Sequence, residues 1–152
     1  MIRIAITDRQ NVLKLDERAL RKIARDVLNH EGFAAAEIGL VFVGDEEMQV
    51  LNLRHLSHDY PTDVLSFVLD EADAADGQQL EAEIVVSTET AAREAPRFGW
   101  PLDAEVTLYL VHGLLHACGY DDLTPPKKAR MRRAERLALQ RHGLEPRYRG
   151  RG

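Results

Sequence analysis

The sequence has only one cysteine, Cys118, so no disulfide can form within the chain and nothing indicates an oxidising compartment. Residues 1–6 alternate between apolar and polar character and contain no long apolar run, which is not typical of a signal peptide. No stretch is long and apolar enough to cross a membrane. Together these absences predict a cytoplasmic protein with no membrane partner.

The chain has 152 residues, of which 45% are apolar and 30% are charged, as expected for one globular domain over residues 1–152. Its net charge of −5 conceals an asymmetry, because residues 127–152 contain ten lysines and arginines but only two acidic residues. A basic end on an acidic body can bind a phosphate backbone. Composition alone favours the simpler interpretation, a solvated helix face followed by a flexible basic tail at residues 145–152.

The apolar pattern predicts helices packed on a sheet. Four strands are predicted, at residues 2–7, 38–43, 64–69 and 83–87. Five helices are predicted: from the cap Asp16 to Gly32, from Asp45 through Leu53, from Thr88 to Ala95, from Pro101 to Gly119, and from the Pro125-Pro126 pair to Gly143. The polar segments 54–62 and 70–79 are predicted loops. Because the order mixes β-α-β units with two neighbouring strands, the expected class is α/β (α+β), with a mixed four-stranded sheet.

The most informative segment contains two histidines four residues apart, His112 and His116, in an otherwise apolar stretch. Residues at this spacing lie on one face of an α-helix, so both imidazoles can point at one ion. Gly119 follows where a left-handed turn can end the helix, and the reversed chain can bring Asp122 to the same ion. Two nitrogens and one oxygen leave a fourth position for water, as in catalytic zinc sites. The spacing therefore predicts one Zn²⁺ per chain.

The alternative is an ordinary pair of histidines, which is the more common meaning of this spacing alone. The apolar helix favours the metal site, because buried imidazoles need strong partners, and so do the well-placed glycine and aspartate. The spacing also resembles the zinc metallopeptidase pattern H-E-x-x-H-x-x-G-x-x-H/D. However, Gly113 stands where those enzymes have the glutamate that acts as general base, which argues against proteolysis.

Three separated blocks have the order of a known family's motifs. They are Leu51-Asn52 with Pro61-Thr62-Asp63-Val64-Leu65-Ser66-Phe67, then Glu83-Ile84-Val85-Val86-Ser87, then His112-Gly113-x-Leu115-His116-x-x-Gly119-Tyr120-Asp121. Met131 and Glu135 occupy the place of the family's last helix. In these residues the chain resembles the bacterial YbeY endoribonucleases, and the resemblance spans residues 45–139.

This resemblance implies a zinc-dependent endoribonuclease that cuts single-stranded RNA. The family is associated with maturing the 3′ end of small-subunit ribosomal RNA and with ribosome quality control. The implied partners are therefore ribosomal RNA and the small ribosomal subunit, and no DNA is expected. The implied fold is a mixed α/β sandwich with a zincin-like metal helix at its centre.

The sequence departs from the family at three positions. Asp122 stands where the third ligand is usually histidine, but a carboxylate is also a sound zinc ligand. Leu56 stands where the family usually has an arginine that is expected to bind phosphate. Ala82-Glu83 replaces Gly-Asp before the fourth strand, which keeps the carboxylate on a longer side chain.

The expected reaction is phosphodiester hydrolysis by a metal-bound water, whose pKa zinc lowers towards about 7. The sequence assigns no side chain to catalysis. Arg54, His55 and His58 are candidates to replace the missing arginine, although each is more often an ordinary loop residue. Asp121 is a candidate acceptor for the second N–H of a ligand histidine, and a turn-capping aspartate is the equal alternative.

The basic helix directly follows the predicted metal turn, so Lys127, Lys128 and Arg130 are predicted RNA contacts. Two other functions remain open at this stage. One is a non-enzymatic ribosome-assembly factor with a structural metal, which the missing arginine favours. The other is a metallopeptidase, which Gly113 disfavours.

Overall fold

The computed structural model describes residues 1–56, 63–74, 77–148 and 151. This part of the chain forms four strands: β1 (Ile2–Asp8), β2 (Phe33–Val43), β3 (Val64–Ala74) and β4 (Gly77–Ser87). It also forms five helices: α1 (Glu17–His30), α2 (Asp45–Leu56), α3 (Thr88–Phe98), α4 (Leu102–Ala117) and α5 (Pro125–Gln140). The predicted α/β (α+β) class is confirmed. In the described residues there is no helix long and apolar enough to span a bilayer.

The strands form one sheet in the order β1-β2-β4-β3. β2 is parallel to both β1 and β4, and β3 pairs with β4 in the antiparallel direction. The antiparallel pair consists of the two strands that are neighbours in sequence, whereas β1 and β2 are joined through α1. The predicted mixed four-stranded sheet is therefore confirmed, with β3 at one edge.

α4 is the central helix of the fold. It packs on β3 and β4 and also contacts α1, α3 and α5. Its side chains are apolar almost all round, and Leu110, Val111 and Leu114 have no exposed surface. Full burial of each such side chain contributes about 1.5–3 kcal/mol. The helix that carries the two histidines is thus fixed in place by the main core.

One prediction is wrong: in the segment 70–79, predicted as a loop, the described residues 70–74 and 77–79 are strands. β3 and β4 continue through this segment as an antiparallel pair, in which Glu71 lies opposite Leu80. Polar residues on the exposed side obscure the strand pattern, although Leu80 and Ala82 alternate towards the core. β2 also begins earlier than predicted and pairs with this part of β4. Backbone pairing with a buried neighbour therefore extends the strands into polar sequence.

A polar network fastens α2 to the start of α3. The Asp45 carboxylate accepts hydrogen bonds from Ser87 Oγ and Thr90 Oγ1, each at 2.7 Å, and pairs with Arg93. Glu89 in turn accepts a hydrogen bond from the backbone N–H of Asp45 at 2.6 Å. Partial burial raises the pKa of the Asp45 carboxyl, but the hydrogen bonds outweigh it and hold the pKa below 3.8.

The C-terminal segment, predicted as a flexible tail, folds back on the domain where it is described. Tyr148 is half-buried, and its hydroxyl donates to Glu135 at 2.8 Å. The Arg151 guanidinium donates to both oxygens of Glu105, at 2.6 and 2.7 Å, and lies 3.7 Å from the centre of the Phe98 ring. Buried carboxylates on α4 and α5 therefore have partners in this segment.

Candidate metal centre

The turn after α4 contains the left-handed glycine that the sequence predicts. Gly119 has a φ of +110°. Its N–H donates to His116 O at 3.0 Å, and the Tyr120 N–H donates to Leu115 O at 3.0 Å. This pair of bonds is a Schellman motif, which satisfies the last carbonyls of the helix. The chain therefore reverses and carries Asp122 back towards the end of α4.

The reversal brings His112, His116 and Asp122 together, and one ligand atom of each lies within 4.8 Å of the others. The two Nε2 atoms are 3.1 Å apart, and the planes of the two rings are 81° apart. Both histidines are half-buried, whereas Asp122 is exposed. The cluster is therefore anchored in the core on one side and open on the other.

Each imidazole has its Nδ1 atom against an acceptor. His112 Nδ1 contacts Oε2 of Glu135 on α5, and His116 Nδ1 is 3.0 Å from the backbone oxygen of Tyr120. In neutral rings each Nδ1 thus carries the hydrogen, and the two Nε2 lone pairs face each other. Two nitrogens bound to one tetrahedral zinc at 2.0–2.1 Å lie about 3.3 Å apart. The observed 3.1 Å separation is close to that spacing.

The electrostatics favour the neutral form of His116. Burial lowers the pKa of its imidazole below 6.5, and the neighbouring His112 lowers it further. These effects outweigh the Asp122 carboxylate and the Tyr120 carbonyl, which both raise the pKa. Neutral imidazole is the form that binds metal ions, so this ring is prepared as a ligand at neutral pH.

Glu135 is the carboxylate that contacts the second nitrogen of a cluster histidine. It has no exposed surface, and its Oε1 accepts hydrogen bonds from Arg132 at 3.1 Å and from the Tyr148 hydroxyl at 2.8 Å. Burial raises the pKa of this carboxyl, but His112, Arg132 and Tyr148 outweigh the burial and the pKa lies below 4.5. Glu135 is therefore a buried anion that faces His112.

Asp121, the candidate for that contact in the sequence, lies in the turn instead. Its Oδ1 accepts the backbone N–H of Leu123 at 3.0 Å, and its Oδ2 is 3.5 Å from Lys127 Nζ. The Leu123 N–H lowers the pKa of the Asp121 carboxyl. This geometry matches the alternative interpretation, an aspartate that caps a turn.

Gly113 lies where α4 touches the sheet. A Cβ atom there would be 2.7 Å from Ile84 Cγ2 and 2.7 Å from Val64 Cγ2. The Gly113 carbonyl also accepts a hydrogen bond from Ser66 Oγ at 2.7 Å. Any side chain at this position requires these methyl groups to move. Packing therefore disfavours a glutamate at this position, where metallopeptidases have their general base and this chain has glycine.

A cleft of about 460 Å³ opens beside the cluster, between α4 and β3. The described residues that line it are the two histidines, Ala117, Asp63 and four residues at the start of β3: Val64, Leu65, Ser66 and Val68. Because both histidines line the cleft, a molecule held there would lie against the cluster.

The three candidates to replace the arginine, Arg54, His55 and His58, stay predictions. His55 is in the last turn of α2, which extends past the predicted end of this helix to Leu56, but the described structure does not include either side chain. His58 lies within residues 57–62, outside the described residues.

The predicted RNA contacts lie in the first two turns of α5. Lys127 and Arg130 are exposed and border a depression of about 370 Å³ together with Tyr120, on the outer side of the metal turn. Lys128 is half-buried. The start of α5 therefore places positive charge beside the turn that follows α4.

Sequence reasoning missed the contacts of Glu135 and Tyr148. A signal for the first was present, because the buried face of α5 is otherwise formed by Met131, Ala138 and Leu139. A carboxylate on such a face requires a partner, although the spacing does not say which one. No comparable signal distinguishes Tyr148 from other residues of the basic C-terminal end.

The mixed sheet and the buried helix with its His–His–Asp cluster define the class: a single α+β domain whose central helix carries a candidate metal centre. Residues 5–143 match the family described as Endoribonuclease YbeY. The chain belongs to this family, as the resemblance in its motifs predicts.

Individual relatives agree with this assignment. An Endoribonuclease YbeY from Syntrophus aciditrophicus is 37% identical over 144 residues, which covers 92% of this chain and 90% of the relative. One from Salinibacter ruber is 39% identical over 126 residues, with 80% of each chain covered. The solution structure of a Thermotoga maritima protein is similar in fold, with a TM-score of 0.59, 22% identity, and coverage of 94% of this chain and 92% of that one.

Proposed function

We propose that this protein is a zinc-dependent endoribonuclease that cuts single-stranded RNA in late 3′-end maturation of small-subunit ribosomal RNA and in ribosome quality control. One observation carries the proposal. In a chain of the YbeY family, the ligand atoms of His112, His116 and Asp122 converge beside an open cleft. The relatives are named endoribonucleases, which suggests hydrolysis of RNA, and the two imidazoles and one carboxylate suggest that a metal ion takes part.

The cluster suits zinc by its donor types. Two neutral imidazole nitrogens and one carboxylate oxygen form the ligand set of many catalytic zinc sites. His112, His116 and Asp122 would hold the ion. When bound, zinc supplies a Lewis acid that activates water and polarises a phosphoryl oxygen.

The surrounding residues prepare the cluster for this task. Glu135 and the Tyr120 carbonyl hold the Nδ1 atoms, so both Nε2 lone pairs face the shared space. Asp122 is exposed on the open side, where an RNA phosphate would approach. The open cleft between β3 and α4 lies directly beside the two histidines, where a single RNA strand would bind.

The central experiment is cleavage of a single-stranded RNA by the purified protein, with and without a chelator. We expect cleavage that the chelator abolishes and that added zinc restores, and no cleavage by His112→Ala, which also controls for contaminating nucleases. Metal analysis should find one zinc per wild-type chain and markedly less in Asp122→Ala. Cleavage that persists in the chelator, or in the His112→Ala protein, would contradict the proposal.

The RNA-binding role of α5 has its own test. Replacing Lys127, Lys128 and Arg130 together by alanine should weaken RNA binding and flatten its salt dependence, by roughly two units of log–log slope for three lost contacts to single-stranded RNA. A matched control removes the same charge from α1, by alanine at the exposed residues Arg18, Lys22 and Arg25. Equal salt slopes for the two triple variants would show that these residues of α5 do not contact RNA.

Leu56 in place of the family arginine favours a second candidate, a non-enzymatic ribosome-assembly factor with a structural metal. This candidate predicts zinc binding and RNA binding without cleavage. The chelator experiment separates the two functions directly, because only the nuclease yields cut RNA.

A further inference from the structure

We propose that Tyr148 is a positioning residue of the metal centre and acts on His112 through Glu135. The inference rests on the proposed function, because it assumes that the cluster binds zinc. It adds the C-terminal segment, far from the histidines in sequence, to the parts of the chain that set metal affinity.

The first step is that the two carboxylate oxygens of Glu135 have different partners. Oε2 contacts His112 Nδ1, whereas Oε1 accepts hydrogen bonds from Arg132 at 3.1 Å and from the Tyr148 hydroxyl at 2.8 Å. The last torsion of a glutamate is soft, so a carboxylate held by one oxygen can rotate. Bonds to Oε1 therefore determine where Oε2 points, and with it the His112 ring.

The second step is that Tyr148 is itself held in place. The Arg132 guanidinium lies 4.5 Å from the centre of its ring, and that of Arg136 lies 5.5 Å from it. Such contacts between a guanidinium and an aromatic face are attractive. Burial and the nearby Glu135 raise the pKa of the Tyr148 hydroxyl, so it stays protonated and can donate.

The third step is a second attachment of the same segment. Arg151, three residues after Tyr148, pairs with both oxygens of Glu105. Glu105 and His112 are seven residues apart on α4, which is about two turns and places them on one side of the helix. The segment is thus fastened along the side of α4 that bears His112, and Arg151 restrains the approach of Tyr148.

Ring orientation matters for affinity because a ligand histidine must present its lone pair at the correct angle. Removing the group that holds a ligand histidine typically lowers metal affinity by about 10–100-fold. Glu135 is that group, and Tyr148 acts one bond further away. We therefore expect a large effect from Glu135→Gln and a smaller one from Tyr148→Phe, roughly tenfold, at the low end of this range.

The test is the zinc dissociation constant of the full chain, measured by competition with a chelating dye at neutral pH. Tyr148→Phe keeps the ring and removes the hydroxyl. The matched control is Tyr109→Phe. Tyr109 is hydrogen-bonded to Glu105, the buried carboxylate of α4, so this variant also removes a hydroxyl that contacts a buried carboxylate. Thermal unfolding of the metal-free proteins shows how far each substitution loosens the fold.

The expected result is weaker zinc binding in Tyr148→Phe and wild-type affinity in Tyr109→Phe, even where the two metal-free proteins unfold at similar temperatures. Wild-type affinity in Tyr148→Phe would overturn the inference, and so would an equal loss in both variants, which would indicate general loosening. Absence of zinc binding by the wild-type protein would instead overturn the proposed function.

Discussion

Gly113→Ala should destabilise the protein, although alanine is the better helix former. The added Cβ would lie 2.7 Å from methyl groups of both Ile84 and Val64, whereas ordinary contacts begin near 3.4 Å. One or both methyls must therefore move by several tenths of an ångström. Both side chains are β-branched and stiff, and both belong to strands paired with each other in the sheet.

Two opposing effects set the magnitude. Replacing a helical glycine by alanine stabilises a helix by about 1 kcal/mol. Overpacking a close-packed core costs about 1–3 kcal/mol, and the stiff neighbours at Gly113 place the cost in the upper part of that range. The expected net effect is a loss of about 1–2 kcal/mol in the free energy of unfolding.

Urea denaturation of the metal-free protein measures this loss as a lower midpoint at an unchanged slope. Ala129→Gly, at an exposed position of α5, is the control, because it reports the helix-propensity difference without a packing change. We expect it to cost about 1 kcal/mol. If Gly113→Ala were as stable as the wild type or more stable, the contact between α4 and the sheet would not be tight and the packing argument against a glutamate there would be refuted.

Three further predictions concern stability. Asp45 has a folded pKa below 3.8, so its carboxylate stabilises the fold at neutral pH, and this contribution is lost as the pH falls through the folded pKa. The difference in urea midpoint between the wild type and Asp45→Asn should therefore disappear in acid. A difference that does not change with pH would contradict this prediction. Arg151→Gln leaves Glu105 buried without its cation and should cost about 3 kcal/mol by thermal unfolding, whereas an unchanged melting temperature would show that the pair is not formed. Asp16→Ala removes the cap on the Ala19 N–H and should cost about 1 kcal/mol in urea denaturation, with no loss if water replaces the cap.

The sequence could predict the parts of the site that depend on local geometry. The spacing of His112 and His116 is fixed by one turn of helix, and Gly119 is the residue that the left-handed reversal requires. These two features determine where Asp122 can go. The convergence of the three side chains is thus largely contained within eleven consecutive residues, which is why it could be predicted before the fold was known.

The contacts that could not be predicted are those between distant segments. Asp121 and Glu135 were both carboxylates within reach of the histidines in principle, but the local turn binds Asp121 through the Leu123 N–H. Only the packing of α5 against α4 shows that Glu135 faces His112. Similarly, the polar residues 70–74 and 77–79 lack a clear period, because their strand state is set by pairing between β3 and β4, and with β2, rather than by their own side chains.

The two buried carboxylates explain how the C-terminal segment finds its place. Glu105 and Glu135 have no exposed surface, and a buried anion without a partner is strongly destabilising. Their partners Arg151 and Tyr148 lie 46 and 13 residues further along the chain. Few arrangements of the segment give both carboxylates these partners at once, so the cost of leaving Glu105 without its cation and Glu135 without the Tyr148 hydrogen bond favours this arrangement over other ways of covering the same surface. The packing that completes the core thereby also fixes the carboxylate that faces His112, which couples the folding of the C-terminal end to the geometry of the metal centre.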